Sequence, residues 1–95
     1  MAVSRLPSLN ALKAFESVAR LGALNRAAEE LNVTESAVSR QIRALEDDLR
    51  VELFRRVHRG VRLSPEGEQL ALSLGTAFEA MRRGVEQIRA RPGVV

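Results

Sequence analysis

The 95-residue chain contains no cysteine, tryptophan or tyrosine, and it has a single lysine and a single histidine. Without cysteine, neither a disulfide nor a thiolate-bound zinc site can form, and a reducing, cytoplasmic location is the natural expectation. Three phenylalanines leave few rings on which bases could stack, which disfavours RNA as a ligand. No apolar run approaches the length of a membrane span, and the first seven residues lack the apolar centre of a signal peptide.

The chain also offers no set of side chains suited to catalysis. His58 lies among arginines, and neither a cysteine nor a cluster of carboxylates is near it in the sequence. A nucleophilic triad or a metal site therefore cannot be assembled convincingly, and the paired acids Asp47 and Asp48 are expected on a solvated helix face. We predict that the protein is not an enzyme and uses no cofactor or metal.

Apolar and charged residues are present in the proportions of an ordinary globular protein. They make up 45% and 28% of the chain, which suffices for one core in a compact domain. The net charge is only +3, but the segment from residue 55 to residue 62 holds four arginines and no acidic residue. Such a patch suits a phosphate backbone, although a solvated turn would also produce it.

Apolar periodicity and capping residues predict three helices in the first fifty residues. Ser8 is suited to cap the first helix, and Gly22 to end it in a left-handed conformation. Asn25 is predicted to cap a short second helix, which Asn32 closes with a positive φ. Thr34 then caps a third helix, so that a three-residue turn separates the last two helices, as in a helix-turn-helix.

The third helix has an apolar face and a polar face. Its apolar positions recur at spacings of four, three and four: Val38, Ile42, Leu45 and Leu49. The opposite face carries small hydroxyls and arginines: Ser36, Ser39, Arg40 and Arg43. Small hydroxyls allow a helix backbone to approach a groove closely, and arginine binds guanine through two hydrogen bonds. A merely solvated face is the alternative, but such a face more often carries Glu and Lys pairs.

Two short, partly alternating runs follow the third helix, at residues 52–55 and 61–63. They predict a two-stranded β-hairpin with residues 56–60 between its strands. The predicted fold is therefore mainly α-helical with a small β-hairpin, a winged helix-turn-helix in residues 1–64. In that geometry the third helix enters the major groove of DNA and positive groups beside it hold the phosphates.

A long final helix is predicted to begin at Ser64 and Pro65 and to reach about Arg89. Residues 65–91 form this linker helix, and residues 92–95 form a short tail. Because the helix projects from a small domain, its apolar stripe requires a partner, and we predict a dimerisation surface. The stripe contains seven residues: Leu70, Leu74, Ala77, Phe78, Met81, Val85 and Ile88.

Nearly the whole chain resembles the DNA-binding domain of LysR-type bacterial transcriptional regulators. The matching stretches are LNALKAFESVARLG from Leu9, NRAAEELNVTESAVSRQIRALE from Asn25, LFRR from Leu53, and RGVRLSPEGEQL from Arg59. The opening RLPSLNALKAF is most similar to the subgroup that includes activators of glycine cleavage and of inducible β-lactamase.

The resemblance implies sequence-specific binding of double-stranded DNA. It implies contacts to bases or nearby phosphates from four residues of the third helix: Glu35, Ser36, Ser39 and Arg40. Arg43 would be directed toward the backbone, and Thr34 would bond a phosphate. Three arginines would lie on or beside the wing: Arg56, Arg59 and Arg62.

Two positions depart from the family pattern. Asn25 stands where the family usually has serine or threonine, which affects a phosphate contact. Glu35 stands where glutamine is common. A carboxylate repels phosphate but accepts a hydrogen bond from cytosine N4, so this departure affects base preference.

The resemblance also implies a homodimer that reads an interrupted palindrome through its two third helices. Half-sites in successive major grooves would lie about 34–36 Å apart, or at a multiple of this distance. Relatives carry a larger effector-sensing domain after the long helix. We therefore expect this chain to be a separate DNA-binding domain, with tetramers and a small-molecule effector belonging to a full-length protein.

Two further functions compete with DNA binding. A helical protein-interaction module without a nucleic-acid ligand would bind with an affinity insensitive to salt, unlike a protein that contacts phosphates. A membrane-surface role for the basic residues of the long helix is disfavoured, because Glu79 and Glu86 are interleaved with them.

Overall fold

The computed structural model describes residues 5–93, which form four α-helices and one two-stranded antiparallel sheet. The elements in chain order are α1 Leu9–Leu21, α2 Leu24–Leu31, α3 Glu35–Leu49, β1 Phe54–Val57, β2 Gly60–Leu63 and α4 Pro65–Arg89. Residues 1–4 of the predicted first domain and residues 94–95 of the predicted tail lie outside the described residues. A bilayer-spanning helix is not found among residues 5–93.

The helix ends follow the predicted capping chemistry at most positions. The Ser8 hydroxyl accepts a hydrogen bond from the Ala11 N–H at 3.3 Å at the start of α1. Gly22 ends α1 with φ 78, and Asn32 ends α2 with φ 59. Left-handed residues turn the chain sharply after each helix, which keeps both connections short.

The predicted cap at Asn25 is wrong. The cap position lies two residues earlier, at Ala23, which has an extended backbone and no capping side chain, and the α2 helix begins at Leu24. Leu24 packs against the apolar core between the first three helices. Packing of this partly buried leucine favours a start at Leu24 even though no side chain caps the helix there.

Two apolar clusters form the core. The first lies between α1, α2 and α3 and contains Ala14, Val18, Ala27, Ala28, Val38 and Ile42. The buried residues that the short α2 helix contributes to it are alanines, which allows the helix backbone to lie close to its neighbours, while the partly buried Leu24 and Leu31 pack against the cluster. The second cluster contains Ala11, Leu12, Phe15, Leu45 and Leu53, and it lies against the hairpin and the first half of α4. The rings of Phe15 and Phe54 connect the core to the hairpin at a centroid distance of 5.2 Å.

The apolar face predicted for α3 is correct at three of its four positions. Val38, Ile42 and Leu45 are buried, whereas Leu49 remains 40% exposed. Leu49 is the last residue of α3 and borders an open groove beside α4. Helical periodicity identifies the face of a residue, but not whether a neighbouring element extends far enough to cover it.

A polar network joins α1 to α2. Arg20 contacts Glu16 on its own helix and Glu30 on α2, and the buried Ser17 hydroxyl donates to Glu30 at 2.7 Å. The hydrogen bonds from Arg20 and then from Ser17 hold the pKa of the Glu30 carboxyl below its usual value. The hydrogen bonds that Arg20 makes to Glu30 and then to Glu16 raise the pKa of the Arg20 guanidinium. The network holds the small α2 helix against α1 beside the alanine contacts.

The β1–β2 hairpin, which we call the wing, is displaced from its predicted position. Strand β1 ends at Val57 and strand β2 begins at Gly60. The connection therefore contains only His58 and Arg59 instead of residues 56–60. Gly60 has φ 125, a backbone conformation that residues with a Cβ atom rarely adopt. Because glycine adopts it readily, the chain can turn tightly here. A Cβ atom on Gly60 would lie 3.6 Å from the Gly22 carbonyl, so the start of β2 lies beside the α1–α2 turn.

The start of α4 is locked against the segment that leads into the wing. The Ser64 hydroxyl accepts a hydrogen bond from the Gly67 N–H at 3.0 Å and donates to the Glu52 carbonyl at 2.5 Å. Gly67 lies so close to this segment that a Cβ atom there would be 2.1 Å from the Leu53 carbonyl oxygen. Only glycine fits at this contact, and it sets the position of α4 relative to the wing.

The apolar stripe of α4 divides into two parts. Leu70, Leu74 and Phe78, which the sequence assigned to a partner, pack in part against the second core cluster of their own chain. Ala77 is exposed. Three residues of the second half are also exposed, by 48%, 48% and 55%: Met81, Val85 and Ile88. The prediction that the whole stripe serves a partner is therefore incomplete, because its first half also completes the core.

Candidate nucleic-acid interface

The N-terminal half of α3 presents polar side chains away from the core. Thr34 caps the helix, and its hydroxyl accepts a hydrogen bond from the Ala37 N–H at 3.0 Å. Glu35, Ser36 and Arg40 are exposed, as helical periodicity predicts from the buried face. We call the surface of Ser36, Arg40 and Arg43 the outer face of α3.

A hydrogen bond on α3 orients Arg43. Its guanidinium donates to the hydroxyl of Ser39, one helical turn earlier, at 3.1 Å. Ser39 is half-buried, so it is less accessible than the sequence predicted, and it lies at the edge of a groove between α3 and the wing. The contact holds the positive charge of Arg43 beside this groove.

Two adjacent grooves run between α3 and the wing. The first, the α3–wing groove, is bordered by Ser39, Arg43 and Arg56 over an apolar floor that includes Ile42 and Val61. Arg43 and Arg56 are exposed at this rim, where an anionic ligand could reach their guanidinium groups, and the Glu46 carboxylate also lines the groove.

The second groove, the wing-tip groove, brings together residues from four segments. It is lined by Asn25 of α2, Glu35 of α3 and Arg56 of β1, together with Arg59 of the wing turn. Because Arg56 borders both grooves, the surface beside α3 is continuous. Four of the residues that the sequence predicted for DNA contact therefore meet at one place.

The strand register separates the wing arginines onto two faces. Phe54 lies opposite Leu63 and Arg56 opposite Val61, and the three apolar side chains of these pairs are half-buried, so this face is directed inward. Residues on alternating positions point to the other side of the ribbon. Arg62 consequently does not share a groove with Arg56 and Arg59, although the sequence had grouped the three.

The N-terminus of α2 opens into the wing-tip groove. No side chain caps it, so its first backbone N–H groups are not satisfied by a capping oxygen. These groups and the helix dipole favour an anion, as do Arg56 and Arg59 in the same groove. Asn25 lies in the first turn of the helix, where it can contribute an amide donor instead of a cap.

Glu46 positions the wing and was missed by the sequence analysis. Its carboxylate accepts hydrogen bonds from the Leu53 N–H at 2.8 Å and from the Phe54 N–H at 3.3 Å. The contact ties the start of β1 to α3 and so sets the width of the α3–wing groove. The sequence carried no local signal for it, because the partners lie seven and eight residues further along the chain, beyond the end of the helix.

The chemistry of these grooves favours anions over metals. Among residues 5–93, no three acidic, histidine or cysteine side chains are grouped so that they could hold a metal ion. His58 is exposed in the wing turn. The groove walls instead supply guanidinium and N–H donors, which suit phosphate and the edges of bases.

The protein-family model described as "Bacterial regulatory helix-turn-helix protein, lysR family" matches residues 9–68 of this chain. The chain belongs to the LysR family. The matched residues extend from α1 into the first turn of α4, and they include both grooves and the outer face of α3.

The part of each curated regulator that is similar to this LysR-family chain makes up somewhat more than a quarter of the regulator's length. It is 55% identical over 84 residues to the HTH-type transcriptional regulator TrpI of Pseudomonas aeruginosa, an alignment that covers 88% of this chain and 28% of TrpI. It is 45% identical over 87 residues to the glycine cleavage system transcriptional activator of Escherichia coli, covering 92% of this chain and 28% of that protein. The predicted resemblance to the glycine-cleavage activator is confirmed, and the chain spans less than a third of the length of either relative.

The fold of the LysR-family chain also matches a solved structure. The crystal structure of the CbnR DBD–DNA complex superposes with a TM-score of 0.73 at 35% identity, covering 87% of this chain and 95% of that one. The predicted fold class, a winged helix-turn-helix followed by a long helix, is confirmed.

Proposed function

We propose that this chain is the DNA-binding part of a bacterial LysR-type transcriptional regulator and binds double-stranded DNA with sequence specificity. The observation that carries the proposal is the continuous surface formed by the outer face of α3 and the two arginine-lined grooves beside it. It is supported by similarity to CbnR, whose matching domain was crystallised with DNA.

In the proposed complex α3 lies in the major groove, with its N-terminal half against the bases. Arg40 is exposed and can bind a guanine through two hydrogen bonds, while Ser36 donates to or accepts from base edges. Glu35 accepts from cytosine. Arg43, held by Ser39, and the Thr34 hydroxyl, whose proton is free of the helix cap, bind phosphates that flank the site.

The wing-tip groove binds the phosphate backbone beside the major groove. Arg56 and Arg59 supply charge, and the uncapped N-terminus of α2 supplies backbone donors beside Asn25. Arg62 contributes from the other face of the wing. These contacts position α3 without reading sequence.

The exposed second half of α4 binds a second copy of the chain, so that residues 1–64 form the DNA-binding unit and residues 65–91 the linker. A homodimer would present two α3 helices to an interrupted palindrome with half-sites about 34–36 Å apart or a multiple of this. The predicted stripe supports this, since Met81, Val85 and Ile88 lack a cover within residues 5–93. In a full-length regulator, the tail at residues 92–95 would lead to a domain that binds a small-molecule effector and completes tetramers.

We further propose a cytoplasmic location and no catalytic activity. The relatives are named as transcriptional regulators, and operator DNA lies in the bacterial cytoplasm. The arginines and the helix N-terminus of the grooves bind anions, and the described residues that line the grooves include no histidine or cysteine beside their carboxylates and hydroxyls with which to build a nucleophilic triad.

A selection on random duplex DNA, followed by titration in increasing salt, tests the proposed function. We expect recovery of a motif with two symmetric halves, and an affinity whose log–log slope against salt is about −0.9 per phosphate neutralised. An affinity for duplex DNA that is undetectable at about 50 mM salt would instead favour a protein-interaction module.

A further inference from the structure

Arg55 and Arg62 face each other on the outer side of the wing. They are register partners in the two strands, and both are exposed. Because side chains alternate along a strand, this pair lies on the opposite face of the ribbon from Arg56, which borders the α3–wing groove. The wing thus has an arginine on its inner face and an arginine pair on its outer face.

Two like charges at directly opposed positions of a small hairpin are unfavourable without a counter-charge. The Cβ atoms of such partners lie about 4.5–5.5 Å apart, close enough for the guanidinium groups to repel each other. No acidic residue occurs between Phe54 and Leu63. Among residues 5–93, neither Arg55 nor Arg62 takes part in an ion pair, so an anion from outside the chain would relieve the repulsion.

We propose that Arg55 and Arg62 together bind a DNA phosphate on the strand across the minor groove from the one that Arg56 and Arg59 contact. The inference rests on the proposed function. With α3 in the major groove, the wing stands beside the neighbouring minor groove, which is about 6 Å wide. A ribbon in this position has one face toward each strand, and the two planar guanidinium groups can bind a phosphate from both sides.

Protection of the wing edges against pairing with other strands is a different role for the same charges. That role involves no contact with a phosphate. If it were the role of the pair, removing both arginines would leave the salt dependence of DNA binding unchanged. The two roles therefore differ in a measurable quantity.

The first experiment titrates a duplex recovered from the random-sequence selection with the full chain at several salt concentrations. We expect Arg55→Gln combined with Arg62→Gln to flatten the log–log slope by about 0.9 per protomer, because the two arginines together neutralise one phosphate. Arg83→Gln combined with Arg89→Gln removes the same charge from α4 and should leave the slope unchanged. Arg55→Lys with Arg62→Lys should retain the wild-type slope, because the charges remain.

The second experiment locates the phosphate by replacing single phosphates of that duplex with uncharged methylphosphonates. We expect one replacement across the minor groove to lower the affinity of the wild-type chain for the duplex. The same replacement should leave the affinity of the Arg55→Gln, Arg62→Gln chain unchanged. A slope equal to that of the wild type, or equal sensitivity of both chains at every phosphate, would overturn the inference. If the wild-type chain itself fails to bind duplex DNA, the proposed function fails as well, and thermal unfolding of each variant identifies loss of fold.

Discussion

Single side chains on α3 differ in how firmly the protein holds them. Arg43 is fixed by its hydrogen bond to Ser39, whereas Arg40 is exposed and has no protein partner among residues 5–93. A guanidinium that is already oriented suits a phosphate at a constant position in every complex. One that is free to orient suits a base edge, where the correct base supplies its two acceptors.

Arg40→Ala should lower the affinity for the selected duplex by about 1–3 kcal/mol and relax the sequence preference, because a base contact is lost. Arg59→Ala is the comparison, since loss of a phosphate contact should weaken binding to all duplexes and flatten the salt slope by about one unit. Titration of selected and scrambled duplexes measures both. Equal losses on the two duplexes for Arg40→Ala would contradict its base-reading role.

Glu35 is the acidic residue that lines the wing-tip groove, and its removal should have opposite effects on two kinds of DNA. Glu35→Gln removes the repulsion between a carboxylate and phosphates, so binding to scrambled duplex should strengthen. The selected duplex should gain less or lose affinity, because glutamine discriminates cytosine less well than a carboxylate does. A parallel selection with the variant should show a weaker cytosine preference; an identical motif would argue against a role in specificity.

At the scale of elements, the wing is held in place by backbone contacts and not by its own length. Four-residue strands are marginal in isolation. Glu46 fastens the start of the wing to α3, and Ser64 with Gly67 fastens the segment before it to α4. The geometry of both grooves depends on these two attachments.

Gly67→Ala should destabilise the fold by about 1–3 kcal/mol, because the new methyl group would overlap the Leu53 carbonyl and force α4 away from the wing. Gly75→Ala is a matched control in the same helix, where an added Cβ meets no atom within 4 Å. It should stabilise the protein by about 1 kcal/mol through helix propensity. Denaturant unfolding measures both changes. If the free energy of unfolding changed in the same direction in the two variants, the contact assigned to Gly67 would be contradicted.

At the scale of the whole molecule, α4 extends beyond the body that it helps to close. The molecule measures 52 × 33 × 20 Å, and the distal half of α4 carries apolar side chains with no cover from the described part of the chain. Leu72, which is 76% exposed, lies nine residues before Met81 and therefore on the opposite side of the helix. The two positions allow the sides of α4 to be tested separately.

Met81→Glu should convert a dimer into a monomer, because it replaces apolar contact worth on the order of 2 kcal/mol per copy with a buried charge. Leu72→Glu introduces the same charge on the other side of α4 and should leave the dimer intact. Sedimentation equilibrium gives the mass of each variant. A dimeric Met81→Glu chain, or dissociation by Leu72→Glu alone, would show that the predicted stripe is not the interface.

The sequence by itself determined the features that depend on neighbouring residues. Caps at Ser8, Thr34 and Ser64, left-handed ends at Gly22 and Asn32, and the outward face of α3 all follow from interactions within one helical turn. The order of the elements and the family resemblance were also present in the sequence, because the matching stretches run through these same caps and faces.

Only the tertiary structure decided the features that depend on contacts between segments. It moved the start of α2 ahead of Asn25, joined Glu46 to the wing, and placed Arg62 on a different face from Arg56. It also divided the stripe of α4 between the core and the surface. Each depends on which segments lie side by side, and local spacing carries little information about that, because burial and register are set by the packing of the whole chain.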